Sequence, residues 1–414
     1  MSHTTKGGEL ISFVEARSRL SALAAPLPPV WRTVDDAVGC RLADAVHAEI
    51  EWPDANVAMM DGYAVRAAEF TTPRAAAVAF EIAAGTVPPR LPPGTAARIF
   101  TGAALPEGAD AVVRQEDAAA CSENAVRIPA VESGQFVRWR GEIARIGGLL
   151  AADGEPVTPQ IAGLLAVVGP QQVRVTPRPR LAILATGSEL IAPTAPRRAG
   201  VLRDGNTLML SALARRAGFD VTHAVRVPDD LSQTCEALTN LFDHADVLLS
   251  TGGVSVGDYD FVPRAIGELG GEILFHHVNI KPGRPILAAR RQAKWLLALP
   301  GNPASALVGW CLFGAPLCRA LSGTSEAFSL RSATRPLACA IENPSGRLLF
   351  APARVAQDGA VTALPWKGSH DVMALAHAEA FLAVAPRTKC AEGTLMDVYS
   401  IEAISGEHAA MTSG

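Results

Sequence analysis

Short apolar runs separated by helix-period stretches dominate residues 181–321. Runs at 181–184, 219–227, 247–250, 273–280 and 295–299 have the length of buried strands. Between them, Leu210, Leu213, Ala214 and Ala217 recur at i, i+3, i+4 and i+7, with Asn206 as the expected helix cap and Gly218 as the stop. Asp230 and Gln233 resemble a capping box ahead of Leu238, Leu241 and Phe242. An apolar helix is expected over 304–321. Strands alternating with helices predict a parallel sheet covered on both faces.

The flanking segments read differently. Val14, Ala16, Leu20 and Leu23 mark an amphipathic helix over 11–25, ended by Pro26-Leu27-Pro28-Pro29, and a second helix is expected over 34–46. Between residues 50 and 142, apolar runs at 76–84, 96–101, 109–115 and 125–131 alternate with proline and glycine. This pattern predicts an all-β domain inserted into another domain. A helix after Pro159 and a strand over 171–177 complete the interrupted domain. Beyond Gly323 the period is again that of strands, at 335–341, 348–355, 361–364, 380–384 and 394–401, and predicts a small C-terminal barrel or sandwich.

At 414 residues the chain is too long for one core. It is 49% hydrophobic and 19% charged with a net charge of −4, and no block of five like charges occurs. That balance argues against a nucleic-acid groove or a polybasic membrane anchor. Seven cysteines without a C-x-x-C pair predict unpaired thiols in a reducing cytoplasm. No apolar leader occupies the first 20 residues. Residues 295–318 are uncharged, but Pro300-Gly301-Asn302-Pro303 is expected to break them into pieces too short to span a bilayer.

The most informative stretch is Thr251-Gly252-Gly253-Val254-Ser255-Val256-Gly257-Asp258-Tyr259-Asp260, which follows a buried strand. Ligands of open parallel sheets bind beyond the carboxyl ends of strands, and glycines let backbone N–H groups approach an anion. Acids beside such a cradle suggest a bridging Mg²⁺. A tight structural turn with solvated acids satisfies the same pattern. Glu189, Asp260, Lys281, Arg284 and Asn302 follow different strands of this sheet and are expected to meet in one crevice. Arg138 and Arg140 share one side of an extended segment by the period-2 rule, as an anion site or as a solvated face. Ser369 lies in the polar loop Lys367-Gly368-Ser369-His370-Asp371.

Eight segments, in order, carry a family likeness: Met60-Asp61-Gly62-Tyr63-Ala64, Thr101-Gly102-Ala103, Pro106-Glu107-Gly108-Ala109-Asp110-Ala111-Val112-Val113, Arg140-Gly141-Glu142, Thr186-Gly187-Ser188-Glu189-Leu190, Thr251-Gly252-Gly253-Val254-Ser255-Val256-Gly257, Lys281-Pro282-Gly283 and Leu299-Pro300-Gly301-Asn302-Pro303. Together they resemble MoeA-type molybdopterin molybdenumtransferases, the family of the gephyrin E domain. The resemblance implies a multidomain α/β plus β fold. Its parts would be a split domain (8–49 with 143–177), an inserted β domain (50–142), a molybdopterin-binding α/β domain with a parallel sheet (178–327) and a C-terminal β-barrel (328–408). It implies a homodimer whose sites lie between the α/β domain of one subunit and the inserted domain of the other. The implied reaction inserts molybdate into adenylylated molybdopterin with Mg²⁺-dependent release of AMP. The adenylyltransferase and molybdoenzyme-maturation proteins are the further partners expected.

By motif position, Asp61, Thr101, Glu189 and Asp260 fall on the family's catalytic set, with Asp61, Glu189 and Asp260 as metal ligands. Gly252, Gly253, Ser255, Lys281, Arg284, Pro300, Asn302, Pro303, Ser369, Arg138 and Arg140 form the expected substrate-binding set. The sequence departs from the family pattern at Val57-Ala58-Met59-Met60, at Ile143 where an acid is usual, and at Ser188 where an acid is usual. Two other readings accompany this one. A molybdopterin adenylyltransferase would share the α/β domain but normally lacks both β domains. A non-catalytic, gephyrin-like scaffold would not require the acidic and basic set.

Overall fold

Every residue of the strands Leu181–Thr186 and Val247–Thr251 is buried, so their sequences are continuous apolar runs rather than alternations. The computed structural model describes residues 10–255, 257–329 and 332–402. Val256, Leu330, Arg331 and the outer ends of the expected domains (8–9 and 403–408) lie outside these. The chain divides into two compact units, one of residues 31–175 and one of 1–30 with 176–414.

In the larger unit a six-stranded sheet comprises β1 (Leu181–Thr186), β2 (Val221–Val227), β3 (Val247–Thr251), β4 (Glu272–His276), β5 (Leu287–Arg291) and β6 (Lys294–Leu299), in the order β2-β1-β3-β6-β5-β4. Strands β2, β1, β3 and β6 run parallel. The expectation of a wholly parallel sheet needs correcting, because β5 is antiparallel to both of its neighbours. It leads into β6 through a two-residue hairpin, Gln292-Ala293, with Gln292 at φ 56. No Asn-Gly or Asp-Gly pair announces that turn in the sequence.

Alternate residues feed two cores. Leu181, Ile183, Val247, Leu249 and Leu297 pack on one face with Leu210 and Ala214 of the Gly205–Arg216 helix. Ala182, Leu184, Leu248 and Leu296 pack on the other with Leu238 and Phe242 of the Leu231–His244 helix. Half of the expected capping box is present: Asp230 accepts from the Gln233 N–H at 2.8 Å, while its own N–H donates to the Pro228 carbonyl at 2.8 Å. The preceding helix is capped by Asp204, whose carboxylate accepts from the Thr207 N–H at 3.0 Å, rather than by Asn206.

The apolar helix runs without a break from Pro303 to Leu321, including a π-helical stretch at Trp310–Gly314. The Pro-Gly-Asn-Pro segment divides the uncharged stretch into β6 and this helix, as expected, but the helical piece is not short. At 19 residues it is long and apolar enough to cross a membrane, yet it is 94% buried inside the larger core. Phe313 meets Phe13 of the Phe13–Leu23 helix edge-on at 5.9 Å, and Phe350 meets the same ring at 5.3 Å. That N-terminal helix, expected with the split domain, thus packs into the larger unit.

The C-terminal strands run in the order Ile280–Lys281, Leu348–Val355, Ala380–Val384, Leu395–Ser400 and Ala333–Pro336, with Val361–Ala363 beside Leu348–Val355. A bridge between Leu337 and Val361 joins the curled ends, giving a half-barrel.

In the 31–175 unit, six strands pair in the order Ala111–Arg114, Gly62–Val65, Ala96–Ile99, Arg74–Ile82, Ala125–Ile128 and Ala119–Ser122. The helix expected over 34–46 stops at Ala37, because Gly39 turns the chain at φ 80 into the short strand Arg41–Leu42. The helix Pro159–Val168 begins where Thr158 caps it.

Gly62 sits so close to its neighbour strand that a Cβ would lie 1.9 Å from the Val113 carbonyl oxygen. Gly62→Ala is expected to destabilise the 31–175 unit by about 1–3 kcal/mol, as overpacking does. Gly163, in mid-helix with nothing within 4 Å, is the control: Gly163→Ala should stabilise by roughly 0.5–1 kcal/mol. Denaturant unfolding of the two variants beside the parent checks both signs.

Candidate active site

The loops after β1, β2, β3 and β6 emerge at the carboxyl edge of the sheet, where ligands of such sheets bind. There they surround a cleft of ≈ 1070 Å³. Its shape begins with a close approach. Gly252 and Gly253 adopt φ of 88° and 62°, and a Cβ on either would lie 2.3 Å from the Thr186 carbonyl oxygen or 2.5 Å from the Thr186 Oγ1. Glycine is required here by packing against β1 as well as by backbone conformation. The Gly252 N–H donates to the Leu299 carbonyl at 3.0 Å, and a Cβ on Gly301 would lie 3.6 Å from the Gly252 Cα, so the β3 and β6 loops touch.

Four carboxylates line the cleft: Glu189, Asp204, Asp229 and Asp260. Asp204 is committed to its helix and to Arg226, 3.5 Å away. Asp229 accepts from the Ser188 N–H at 3.0 Å while its own N–H donates to the Ser188 hydroxyl at 3.0 Å. Asp260 accepts from the Gly257 N–H at 2.7 Å through one oxygen, which leaves the other available. His276 binds the Val254 carbonyl at 2.8 Å. Burial holds its imidazole below the usual range, against the opposing effects of that bond and of the Asp260 charge.

Of the residues expected in the crevice, Glu189, Asp260 and Asn302 line it together with Gly252, Gly253 and Pro303. Ser369 acts through its backbone: its carbonyl accepts from the Ala304 N–H at 3.0 Å in the first turn after Pro303. Lys281 and Arg284 are not among the lining residues. The chain leaves β4 through His277 at φ 77, and Lys281 then pairs with Leu349 in the C-terminal sheet. Pro300 and Ser255 are likewise outside the lining, although the Pro300 carbonyl lies 3.5 Å from the Thr251 hydroxyl.

Sequence reasoning missed Asp229, and it assigned Asn206 to capping alone. The signal for Asp229 was available, since it sits two residues beyond β2 at the edge where sites form.

In the 31–175 unit, Asp61 Oδ1 accepts from both the Thr101 N–H (2.8 Å) and the Thr101 hydroxyl (2.7 Å). These two bonds, helped by the Arg98 charge, hold the exposed Asp61 carboxyl below the usual carboxylate range. Arg138 extends from a strand paired with Val57–Ala58, and its Nε is buried without a hydrogen-bond partner among the described residues. Arg140 instead forms an ion pair with Glu51, and its N–H donates to Asn56 Oδ1 at 3.0 Å. The two arginines thus differ in surroundings: Arg140 is paired with Glu51, whereas the Arg138 Nε is buried. Ile143, in the place of an expected acid, is 58% exposed.

Among the described residues no group of three or more His, Cys, Asp or Glu side chains is arranged to hold a metal ion. Glu189 and Asp260 remain as two carboxylates on one cleft. That number fits Mg²⁺, which is commonly held by one or two carboxylates with substrate phosphates and water completing the shell.

Fold and site define a multidomain α/β plus β protein with an acid-lined ligand cleft at the carboxyl edge of its sheet. Three family models match in sequence: the MoeA N-terminal region (domain I and II) over residues 11–169, a probable molybdopterin binding domain over 182–320, and the MoeA C-terminal region (domain IV) over 334–401. The molybdopterin molybdenumtransferase of Bacillus subtilis is 33% identical over 357 residues, covering 81% of this chain and 83% of that protein. The same-named protein of a Nostoc species is 36% identical over 300 residues, covering 70% of this chain and 69% of that protein. A molybdopterin biosynthesis MoeA protein from Pyrococcus horikosii superposes with a TM-score of 0.79 at 26% identity, over 95% of this chain and all of that one. The chain belongs to the MoeA family. Matches on both sides of the α/β domain count against the adenylyltransferase alternative.

Thr101→Val removes the hydroxyl donor and keeps the backbone N–H, so it should raise the Asp61 pKa part of the way toward the ordinary value. A lowered folded-state pKa contributes stability above the unfolded-state value and loses it as pH falls through the folded value. The variant should therefore lose this contribution at a higher pH than the parent. Carbon-13 carboxyl shifts of Asp61 followed against pH would show the displacement, and an unmoved midpoint would contradict the assigned cause.

Proposed function

We infer that this chain is a molybdopterin molybdenumtransferase, which inserts molybdenum into molybdopterin in molybdenum cofactor biosynthesis. The observation that carries this reading is the carboxylate-lined cleft, formed by the Gly252–Gly253 and Gly301–Asn302 loops within the segment matched by the molybdopterin binding domain. In more detail, the substrate is adenylylated molybdopterin, molybdate is the second substrate, and the reaction requires Mg²⁺ and releases AMP. The working form is a homodimer in which Asp61 and Thr101 of one subunit serve the cleft of the other. Support for this comes from the placement of the Asp61–Thr101 pair in a different compact unit from the cleft. A cytoplasmic location is in keeping with seven free cysteines.

The chemistry needs no protein nucleophile. The two dithiol sulfurs bond to molybdenum as one oxide leaves with the two thiol protons as water. Water then cleaves the phosphoanhydride, giving AMP. The lack of a Cβ at Gly252 and Gly253 lets the substrate phosphates approach the backbone of the turn. Asp61, which accepts from the Thr101 N–H and hydroxyl, would take up a thiol proton in its ionised form. Lys281 and Arg284, which lie outside the cleft lining, are proposed to attract molybdate toward the site. Mg²⁺ held by Glu189 and Asp260 would neutralise phosphate charge. Without a cation, two unit charges about 4 Å apart repel by roughly 4 kcal/mol at an effective dielectric of about 20.

Incubation with adenylylated molybdopterin, molybdate and Mg²⁺ tests this reading through AMP release. Asp260→Asn can keep the Gly257 hydrogen bond while losing the charge. It should abolish the Mg²⁺-dependent release and leave metal-free substrate binding equal or tighter. Mixed dimers of Asp260→Asn with Asp61→Asn subunits should recover activity that neither parent has. A wild-type Mg²⁺ response in Asp260→Asn would remove this residue from the site, and no recovery in verified mixed dimers would contradict shared sites.

A further inference from the structure

Asn206 stands at the start of the Gly205–Arg216 helix and lines the cleft. Its amide nitrogen donates to the Thr251 hydroxyl at 2.9 Å and to the Gly301 carbonyl at 2.7 Å. An amide NH₂ has two hydrogens, so both are committed. The Gly301 carbonyl only accepts, which fixes the amide orientation. Thr251 is free to accept from Asn206 because its own hydroxyl hydrogen is directed toward the Pro300 carbonyl, 3.5 Å away. Among the described residues the amide oxygen has no hydrogen-bond partner, and it is not among the buried atoms without one, so it is open to the cleft. A serine or threonine has a single hydrogen and cannot bond both acceptors while offering a further oxygen.

We propose that Asn206 is a specificity-determining residue that holds the β3 and β6 loops together and presents a fixed acceptor to the N–H donor edge of the pterin ring. This rests on the reading of the cleft as a molybdopterin site and adds to it the residue that selects the ring. The pyrimidine edge of a pterin carries an exocyclic amino group beside a ring N–H, and both are donors. Glu189 and Asp260, two carboxylates of the cleft, are suited to a cation. Asn206 is a neutral acceptor, suited to a neutral N–H group. A site built to accept from a substrate N–H rejects an analogue that lacks it.

The test uses two ring probes, pterin and a pterin methylated at every donor of that edge, with binding read by fluorescence for the full-length wild type, Asn206→Leu and Asn206→Asp. Wild type should prefer pterin by about tenfold, the worth of one hydrogen bond at the upper end of the usual range. Asn206→Leu keeps a similar volume without the acceptor and should lose that preference. Asn206→Asp keeps an oxygen at the Oδ1 position and loses both N–H donors, so it should retain a preference for pterin while binding both probes more weakly. Thermal melts establish that each variant is folded. An unchanged preference in folded Asn206→Leu would overturn the assignment, because steric exclusion of the methyl groups does not depend on the acceptor. Equal loss of preference in both variants would also overturn it, and would leave only the loop clamp. If wild type binds pterin no better than buffer components, the molybdopterin reading of the cleft fails, and this assignment fails with it.

Discussion

The contact between the Gly252–Gly253 turn and Thr186 sets the geometry of the cleft. The Thr186 backbone and hydroxyl occupy the space that a side chain on either glycine would need. The turn is thereby pressed onto the end of the neighbouring strand, and its N–H groups and the following acid are carried to the sheet edge. Parallel register does the rest. Leu181, Val247 and Trp295 are aligned across β1, β3 and β6, so the three strands end at one level and deliver their loops to one place. Helices packed on both faces hold that register, because a shift of one residue would exchange the two hydrophobic faces.

The cleft divides its polar groups between structure and chemistry. Asp204, Asp229 and the Asn206 amide nitrogen are occupied in holding loops and helix ends. Glu189, the second oxygen of Asp260 and the Asn206 oxygen are among the groups that remain for a ligand. Carboxylates gathered without cations would repel one another and a bound phosphate, so a site of this composition favours a divalent cation over a bare anion. The Asp61–Thr101 pair follows a different logic. Its carboxylate is exposed and is kept ionised by two donors from one residue rather than by an ion pair.

Much of this was legible in the chain. Leucine- and valine-rich runs announced β1, β3 and β6, since buried parallel strands need no alternation. The acids after those strands, Glu189 and Asp260, followed from the rule that sites form at strand ends. What remained hidden depended on tertiary partners. The hairpin at Gln292-Ala293 lacks the usual turn residues, so β5 and its antiparallel direction went unseen. Lys281 follows β4 closely in sequence, but its strand pairs with Leu348–Val355 of a distant segment. Arg140 matched Arg138 in local spacing, yet its charge is taken by Glu51, far away in the chain. Asn206 looked like a cap because Asn is a good one, while the neighbouring Asp204 performs that task.

Amide hydrogen exchange with and without adenylylated molybdopterin measures most directly whether the carboxyl edge of this sheet is the working site. Added protection should concentrate at Gly187–Glu189, Gly252–Ser255 and Gly301–Ala304, whose backbone groups surround the cleft. Protection confined to the opposite edge of the sheet, or absent from these three loops while the ligand is bound, would contradict the account.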